Sequence, residues 1–555
     1  MLKRILTLLV LAVLSGQYIH AQVTTSSISG TVTDPNGSPL VGATVVAIHQ
    51  PSGTKYTTIS KQGGVVNLPG LRVGGPYSIT VTYVGFKPQV FDNVTLVLGE
   101  AYNLSAQLGS DAVELSTVSV TASTRRRSFT DKVGATTNIN AAQLSTLPTI
   151  SRSITDYTRI TPQANGTSFA GRDNRMNNMQ VDGANLNNNF GLSSDLLPGG
   201  GNPISLDAYQ EISVNVSPFD VRQSGFTGAG ISAITKSGTN TFHGSFYGAY
   251  RDQSFNGTNV AGTKLPDPAK TNNKLYGVTF SGPIIKNKLF FFVNGEIEKA
   301  SRPGITFSPK GGSGNGTVSN VPIDSLAKLY NYLKTKYSFD PGAYDNFPNY
   351  ETKNHKILAK IDWNISTAHK LTLKFSDYVS DDVNTASGSG GINGASSQSS
   401  IVSYWGSYRF GLNALGFSNV NYTIQDKVRS GALELNSNFK GRFANQFLAT
   451  FTKISSIKGH NGETFPFVDI LGLTTGSKNN YLSFGNEPFN GNNNQVINDV
   501  FNVTDNFTYF AGKHTLTAGA TYEYQKVGNM FMPGSQGYYV FGSLNDFITN
   551  QAPKL

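Results

Sequence analysis

The stretch Leu289-Phe290-Phe291-Phe292-Val293-Asn294-Gly295-Glu296-Ile297-Glu298 decides the fold because its side chains alternate in character along the chain. Successive side chains of an extended strand point to opposite faces of the sheet. The apolar face holds Leu289, Phe291, Val293 and Ile297, and the other face holds Asn294, Glu296 and Glu298. This pattern predicts a β-strand with one apolar and one polar face. Alternation alone does not distinguish a soluble β-sandwich from a membrane β-barrel, because both bury one face of each strand.

Strand lengths and connection lengths around this stretch separate those two folds. Alternating segments lie at 239–251, 272–283, 287–300, 353–366, 369–381, 400–414, 427–440, 443–458, 499–511 and 514–527. Tight joins such as Ile285–Lys288 and Ser366–His369 alternate with the long connections 301–352 and 459–498. The long connections carry Gly, Ser and Asn, and we expect them to face the exterior. Short turns on one side and long loops on the other are typical of outer-membrane barrels, whose spanning strands must pair every backbone polar group. The sequence therefore predicts a transmembrane β-barrel over 239–555.

The composition fits a large, mainly β protein and excludes other classes. Only 14% of the 555 residues are charged, against about 25% in ordinary domains. Aromatic residues make up 11%, which is too many for a disordered chain. Past the N-terminus the chain has no apolar run of about 20 residues, as a spanning helix would need. The absence of Cys excludes disulfides and thiolate metal sites. The net charge of +10 comes without a basic helix or basic-aromatic module, so no nucleic-acid partner is expected.

The first 21 residues predict export from the cytoplasm. Lys3 and Arg4 precede the apolar run Ile5–Leu14, and Ala21 offers a small residue for cleavage. This order is that of a secretory signal peptide.

Residues 26–108 predict a small β-sandwich. Short alternating strands are separated by turn signals such as Asp34-Pro35-Asn36-Gly37. Strands are expected at 28–33, 43–48, 77–83, 94–98 and 102–108, with Ile79, Val81 and Tyr83 on one side. The segments Gly30–Asp34, Gly37–Val45 and Tyr77–Phe86 resemble the carboxypeptidase regulatory-like domain. That resemblance implies a transthyretin-like, carbohydrate-binding-like fold with a structural or docking role. It implies no peptidase activity, because His49 has no zinc-ligand partner in the sequence.

Residues 128–237 are rich in Gly, Asn and Asp, and their motifs resemble a known plug. The matching pieces are Gly171-Arg172, Asp182-Gly183, the block Ile204–Val216, and Thr235–Asn240 followed by Phe242-His243-Gly244. They resemble the plug domain of TonB-dependent outer-membrane receptors, and most closely the Oar-like type of Bacteroidota. The resemblance implies that Gly171, Arg172, Asp182 and Gly183 form a plug motif. The spacing of the Asp and Asn residues completes no EF-hand loop, so turns are the better interpretation.

Residues 113–127 connect the sandwich to the plug and contain a short alternating strand. It reads Leu115-Ser116-Thr117-Val118-Ser119-Val120-Thr121-Ala122. An unpaired strand of this kind is open to β-augmentation by another sheet, although a plain linker strand has the same pattern. The plug resemblance implies that Leu115–Ala122 is a TonB box, the segment bound by the energising protein in the periplasm.

The strand count raises the expectation of a truncated barrel. The sequence predicts about ten or eleven strands, whereas the resembled receptors close with about 22. The chain also ends in Gln551–Leu555, without the terminal aromatic strand normal for this class. We therefore expect an N-terminal fragment or a truncated product.

Together these features predict a transporter of the outer membrane, not an enzyme. The resemblance implies a TonB-type partner, outer-membrane lipid around the barrel and an extracellular ligand, which could be a siderophore, a glycan, a peptide or a protein. No cofactor, metal or catalytic set is expected, because the seven His are scattered and no Ser/His/Asp grouping or paired carboxylates stand out. A surface adhesion or carbohydrate-binding protein on the same scaffold is the alternative.

Overall fold

The computed structural model describes residues 23–110, 118–121, 134–149, 152–187, 202–265, 268–386, 409–439, 441–472, 480–491, 493–512 and 514–553, with the backbone alone of 118–121 and 480. The predicted signal peptide, Leu115–Thr117, Ala122 and the Arg triplet at 125–127 lie outside the described residues.

The N-terminal unit is a sandwich of two sheets around one apolar core. Its strands are β1 (Ser26–Thr33), β2 (Thr44–His49), β3 (Thr54–Ile59), β4 (Val65–Leu71), β5 (Gly74–Thr82), β6 (Gln89–Leu96) and β7 (Ala101–Gln107). One sheet has the order β4-β1-β7, and the other has the order β3-β2-β5-β6 and continues into β8 (Val118–Thr121). Of the three residues predicted to share one side, Ile79 and Val81 are buried, and Tyr83, which lies beyond the end of β5, is half-buried. Strands β3 and β4 were not predicted.

His49 is a structural residue of this sandwich. Its ring is buried, and Nδ1 lies 2.7 Å from the hydroxyl of Ser52. Burial, with a smaller contribution from the Arg72 guanidinium, lowers the pKa of His49 to about 3. The imidazole is therefore neutral at physiological pH.

The second unit is a five-stranded mixed sheet with two short helices. Its elements are β9 (Gly134–Asn140), α1 (Ala141–Thr146), α2 (Ile154–Thr158), β10 (Ala164–Asn165), β11 (Ser168–Phe169), β12 (Asn178–Val181), β13 (Ala184–Asn185), β14 (Tyr209–Pro218) and β15 (Gly230–Thr235). The sheet order is β13-β12-β15-β14-β9. We call this unit the plug, because it packs against the inner face of the sheet described next.

The rest of the chain builds one long sheet and a folded set of connections. In chain order the strands are β16 (His243–Asp252), β17 (Asn259–Val260), β18 (Thr263–Lys264), β19 (Asn272–Ile285), β20 (Leu289–Arg302), β21 (Phe307–Lys310), β22 (Thr317–Pro322), β23 (Tyr350–Asn364), β24 (His369–Asn384), β25 (Leu415–Gly416), β26 (Tyr422–Phe439), β27 (Phe443–His460), β28 (Phe467–Leu471), β29 (Asn480–Phe484), β30 (Asn494–Ala511), β31 (His514–Phe531) and β32 (Tyr538–Phe541), with helices α3 (Ile323–Tyr337) and α4 (Leu544–Ile548).

Nine of these strands form a continuous antiparallel sheet, which we call the wall. Its order is β16-β19-β20-β23-β24-β26-β27-β30-β31. The wall alternates as the sequence predicted: Val293 and Ile297 are exposed on the outer face, while Asn294 and Glu296 are buried on the inner face. Phe290 and Phe292 are also buried there, and Phe292 joins the core of the plug.

The structure corrects two details of the predicted wall. The described residues contain nine wall strands, fewer than the ten or eleven expected. The strand predicted at 400–414 is wrong in its described part, because residues 409–414 form turns and one isolated bridge between Gly411 and Ala414. The apolar side chain of Phe410 packs into a core formed by the long connections and does not face lipid.

Those long connections fold together into what we call the loop unit. A four-stranded sheet, β25-β29-β28-β32, and helices α3 and α4 share one apolar core. Helix α3 buries Leu326, Leu329 and Leu333, which lie on one face at helical spacing. The sequence predicted 301–352 and 459–498 as long connections, and it did not predict the helix and strands that these connections contain. No helix in the described ranges is both long enough and apolar enough to cross a bilayer.

Gly30 of β1 lies opposite Leu104 of β7 in the sandwich. A Cβ atom on Gly30 would lie 1.8 Å from the carbonyl oxygen of Leu104, so the backbone would have to move. We expect Gly30→Ala to cost about 3 kcal/mol of local stability, the upper end for overpacked positions. The measurement is hydrogen exchange of β1 and β7 in the full chain, and protection is expected to fall.

Gly109→Ala is the matched control, because a Cβ there meets nothing within 4 Å. Equal protection in the two variants would contradict the proposed steric role of Gly30.

Candidate functional site

The plug contacts the inner face of the wall through a buried carboxylate, Asp182. Its Oδ1 lies 3.4 Å from Nζ of Lys360 in β23, and its Oδ2 lies 3.6 Å from Nζ of Lys374 in β24. Thr235 donates its backbone N–H and its hydroxyl to the same carboxylate, at 3.0 and 2.8 Å. All three charged side chains are almost fully buried. One acid of the plug therefore neutralises, in part, two cations of the wall.

The local backbone explains why an Asp stands at this place. Asp182 and Gly183 form the two-residue connection between β12 and β13, and both have positive φ, 47° and 78°. Asp-Gly is favoured at such hairpin turns because Gly has no Cβ and Asp tolerates the left-handed region. The turn aims the carboxylate of Asp182 at the wall.

The charge state of Asp182 follows from its surroundings. Burial by itself would raise the pKa of the carboxyl. The ammonium groups of Lys360 and Lys374 and the hydrogen bonds from Thr235 outweigh it and hold the pKa below its usual value. The carboxylate is therefore ionised at neutral pH.

The lysines also hold the plug through its backbone. Lys360 donates from Nζ to the carbonyl oxygen of Thr235 at 3.1 Å, and Lys374 donates to that of Val181 at 3.1 Å. These bonds reach the strands β15 and β12 directly, so the wall positions the centre of the plug sheet.

A second polar contact joins the plug to the wall near Ser205. Glu296 of β20 accepts hydrogen bonds from the hydroxyls of Ser205 and Tyr247 at 2.7 and 2.9 Å. Its other oxygen lies 2.6 Å from Nζ of Lys356. This ion pair between β20 and β23 is also buried, and it fixes the carboxylate that accepts from Ser205 of the plug.

The sandwich contacts the wall at the end where the strands are joined by short turns. Asn364 of β23 donates to the hydroxyl of Thr54 at 2.9 Å, and Asn240 donates its N–H to the carbonyl of Pro51 at 2.8 Å. Lys61 donates to the carbonyl of Gly441 in the turn between β26 and β27. A cavity of about 190 Å³ remains between sandwich, plug and wall, and Asp182, Lys360 and Lys374 line part of it.

The described part of the predicted TonB box is a strand at the edge of the sandwich. β8 pairs in parallel with β6, from Gln89 opposite Val118 to Asp92 opposite Thr121. In the described residues β8 is the last strand of its sheet, so its other edge has no strand partner there.

The structure separates the four residues of the predicted plug motif by environment. Asp182 and Gly183 form the buried turn at the wall, whereas Gly171 and Arg172 lie at an exposed turn next to β11. Sequence reasoning missed Lys356, Lys360 and Lys374. In the sequence each is a Lys on the polar face of an alternating strand. That pattern does not identify the residue to which the Lys binds.

The loop unit has its own buried charges at the opposite end of the wall. Arg409 lies 3.3 Å from Asp469, which also accepts from the hydroxyls of Tyr538 and Ser483 at 2.6 and 2.5 Å. Burial, together with the charge of Asp469, raises the pKa of Tyr538 far above its usual value. This network fixes the sheet of the loop unit. Within the described ranges no group of three His, Cys, Asp or Glu side chains is placed to bind a metal.

Comparisons with known families agree with these two architectures. A sequence model described as an outer membrane beta barrel domain matches residues 234–553, and one described as a carboxypeptidase regulatory-like domain matches residues 27–109. The first match covers more than half of the chain, so the chain belongs to the outer membrane beta barrel domain family. Its location is the outer membrane, and the predicted sandwich and barrel folds are confirmed.

Among individual proteins, the chain is similar to the TonB-dependent transporter Oar of Myxococcus xanthus. The two are 26% identical over 289 residues, which is 48% of this chain and 26% of that protein. The outer membrane transporter YddB of Escherichia coli has a TM-score of 0.49 at 13% identity, covering 76% of this chain and 51% of that one. The siderophore receptor PirA of Pseudomonas aeruginosa has a TM-score of 0.42 at 12% identity, covering 72% and 49%. The chain thus spans about a quarter of the Myxococcus protein and about half of the chain in each of these two solved structures.

Replacing the plug carboxylate tests the lumen contact. We expect Asp182→Asn to leave Lys360 and Lys374 facing no negative charge, which costs about 3–5 kcal/mol when a buried pair is broken. Hydrogen exchange of β12 and β15 in the full chain should then accelerate.

Two comparisons sharpen this experiment. Asp173→Asn removes an exposed carboxylate paired with Arg175 at 2.8 Å and should leave exchange in the plug unchanged. Adding Lys360→Gln and Lys374→Gln to Asp182→Asn should restore part of the protection, because the charges are then removed together. Unchanged exchange in Asp182→Asn alone would show that the ion pairs do not hold the plug.

Proposed function

We propose that the chain is the plug-bearing part of a TonB-dependent transporter for energised uptake of an external ligand. The observation that supports this most directly is the plug on the inner face of the wall, held there by Asp182. The short turns and the sandwich face the periplasm, and the loop unit faces the exterior, since outer-membrane barrels place short turns on the periplasmic side. In this arrangement the plug blocks the route that a ligand would take.

The proposed energy input enters through residues 113–122. A TonB-type protein pairs with this segment by strand addition and transmits the proton-motive force to the plug, which follows in sequence at β9. The edge position of β8 supports the proposal, because a segment that already adds to one sheet has the backbone conformation required to add to another.

The ligand would bind the loop unit and the outer side of the plug. Siderophore, glycan, peptide and protein are all compatible with this mechanism. No bond of the ligand is made or broken. Asp182, in the turn with Gly183, acts by holding the plug and not by catalysis, while Gly171 and Arg172 form an exposed turn of the plug.

Surface adhesion is the second candidate, and the loop unit is what favours it. A folded unit with a common apolar core presents a rigid surface, which a binding protein needs whether or not transport follows. For an adhesion protein, binding of the ligand at the cell surface would not change when the proton-motive force is lost.

Deleting residues 113–122 in the complete protein distinguishes the two functions. We expect ligand uptake by cells to fall to the level seen after collapse of the proton-motive force, while surface binding of the labelled ligand is unchanged. Val120→Pro should reproduce the loss, because Pro removes an N–H that a ladder requires.

Val120→Thr is the matched control, since Thr is well accepted in strands.

As the chain contains no Cys, Ser119→Cys also gives a unique cross-linking position for a Cys-bearing TonB domain. Uptake that survives the deletion would contradict the role of residues 113–122, whereas surface binding without any uptake that depends on the proton-motive force in the unchanged protein would leave adhesion.

A further inference from the structure

The outer face of the wall has an apolar band that ends at a row of charged residues. Starting from the short turns, the band contains Leu371, Leu373 and Phe375 in β24, Leu433 and Leu435 in β26, Phe443, Phe447 and Phe451 in β27, and Phe501 and Phe507 in β30. One polar pair interrupts it, in which Asn445 donates from Nδ2 to Asp505 at 2.8 Å. The next outward positions along β24, β27 and β30 are Asp377, Lys453 and Asp499, and on β26 Gly431 is followed by Arg429. These four charged residues are direct partners in the ladder, as Asp377 pairs with Arg429, Arg429 with Lys453, and Lys453 with Asp499.

The height of this row places it at a membrane boundary. Arg429 and Lys453 lie about ten residues from the turn that joins β26 and β27. At about 3.3 Å per residue and a strand tilt of about 40°, this corresponds to about 25 Å, the height of the apolar band of outer-membrane barrels. The row therefore lies at the headgroups of the leaflet on the loop-unit side.

Two cations face each other at the centre of the row. Arg429 and Lys453 are directly opposite on neighbouring strands, and such like-charged pairs are destabilising. Lys427 lies two positions along β26, on the same face as Arg429. Among the residues that the structure describes, neither Lys427 nor Lys453 forms an ion pair. Three cations thus gather on two adjacent strands.

Neighbouring acids neutralise this cluster only in part. Asp377 accepts from Nε of Arg429 at 2.5 Å, and it also lies 3.6 Å from the ring of His355. The Arg429 side chain nevertheless stays 55% exposed. Asp499, opposite Lys453, has its Oδ1 buried without a hydrogen-bond partner. An anion between Arg429 and Lys453 would relieve their mutual repulsion, while the acids remain on either side.

We propose that Lys427, Arg429 and Lys453 bind the phosphate of a membrane lipid. Arg presents a planar fork that suits phosphate oxygens, and Lys supplies a point charge. A lipid is favoured over a free anion, because Phe451 and Leu433 lie exposed next to the cations on the apolar side. The ring of Phe451 covers Gly431, which adjoins Arg429 along the same face, so an acyl chain can continue along this surface.

The wall contains an internal control for this site. Lys299 of β20 and Lys353 of β23 also lie on the outer face towards the loop unit, but Glu351 pairs with both, at 2.9 and 3.1 Å. A double change of Lys299→Gln and Lys353→Gln removes the same charge as Arg429→Gln with Lys453→Gln. Only the latter pair removes cations that lack a shared acid.

The test uses the full chain in nanodiscs of phosphatidylcholine containing a minor fraction of phosphatidic acid. Native mass spectrometry counts the phosphatidic acid retained by the protein. We expect Arg429→Gln with Lys453→Gln to reduce its retention by about tenfold or more relative to the unchanged chain. The Lys299/Lys353 control should retain it, and Lys427→Gln alone should lose part of it.

Three results would overturn the proposal. They are equal losses in the two double variants, no preference of the unchanged chain for phosphatidic acid over phosphatidylcholine, and displacement of the lipid by inorganic phosphate, which would indicate a free-anion site. If the Arg429/Lys453 variant does not fold, as judged by its circular dichroism, Lys427→Gln decides the question, and full retention in that variant contradicts the site.

Discussion

The unbroken pairing of backbone N–H and C=O groups in the wall is the constraint on which the rest of the structure depends. A lipid bilayer offers these groups no other partner, so each wall strand must run in register with its neighbours across the apolar layer. From β23 to β31 the ladders continue without a shift. A fixed register assigns every side chain to one face, because a slip of one residue would reverse all of them. The lipid face, the plug contacts and the charged row all follow from that assignment.

On the inner face of the wall, apolar and charged side chains both contact the plug. Phe292, Leu358, Tyr378, Val428 and Ile454 of the wall share one apolar core with the plug. Between them stand Lys360 and Lys374, whose charges are acceptable only because Asp182 arrives from the plug. The inner face is therefore neither a plain polar channel nor a plain core. It is a surface complementary to one particular domain.

The sequence predicted much of what depends on local order and missed what depends on distant residues. The alternation at Leu289–Glu298, the turn at Asp182–Gly183 and the sandwich strands other than β3 and β4 each need only a few neighbouring residues. The ion pair between Asp182 and Lys360 joins positions 178 apart, and no local pattern specifies it. The helix at Ile323–Tyr337 was a different kind of miss. Its Leu326, Leu329 and Leu333 do follow helical spacing, but they lie in a connection that the barrel pattern treats as a loop.

The two kinds of plug contact have different consequences for the proposed uptake. Exposing one large buried apolar side chain costs about 1.5–3 kcal/mol. Release of the whole plug from the lumen would expose several such side chains of the wall. Buried ion pairs add little net stability over apolar packing, but they specify position, and water entering the lumen can solvate the separated charges. Opening the plug–wall contact at Asp182, where the cavity already lies beside the two lysines, therefore needs less work than expelling the whole plug.

The order of the strands determines which contact a pulling force strains first. Force applied at β8 would reach the plug through β9, which pairs with β14 at the edge of the plug sheet. The β9–β14 ladder would therefore be strained before the ion pairs next to β12. On this physical ground, stepwise remodelling of the plug is favoured over its release as a rigid body.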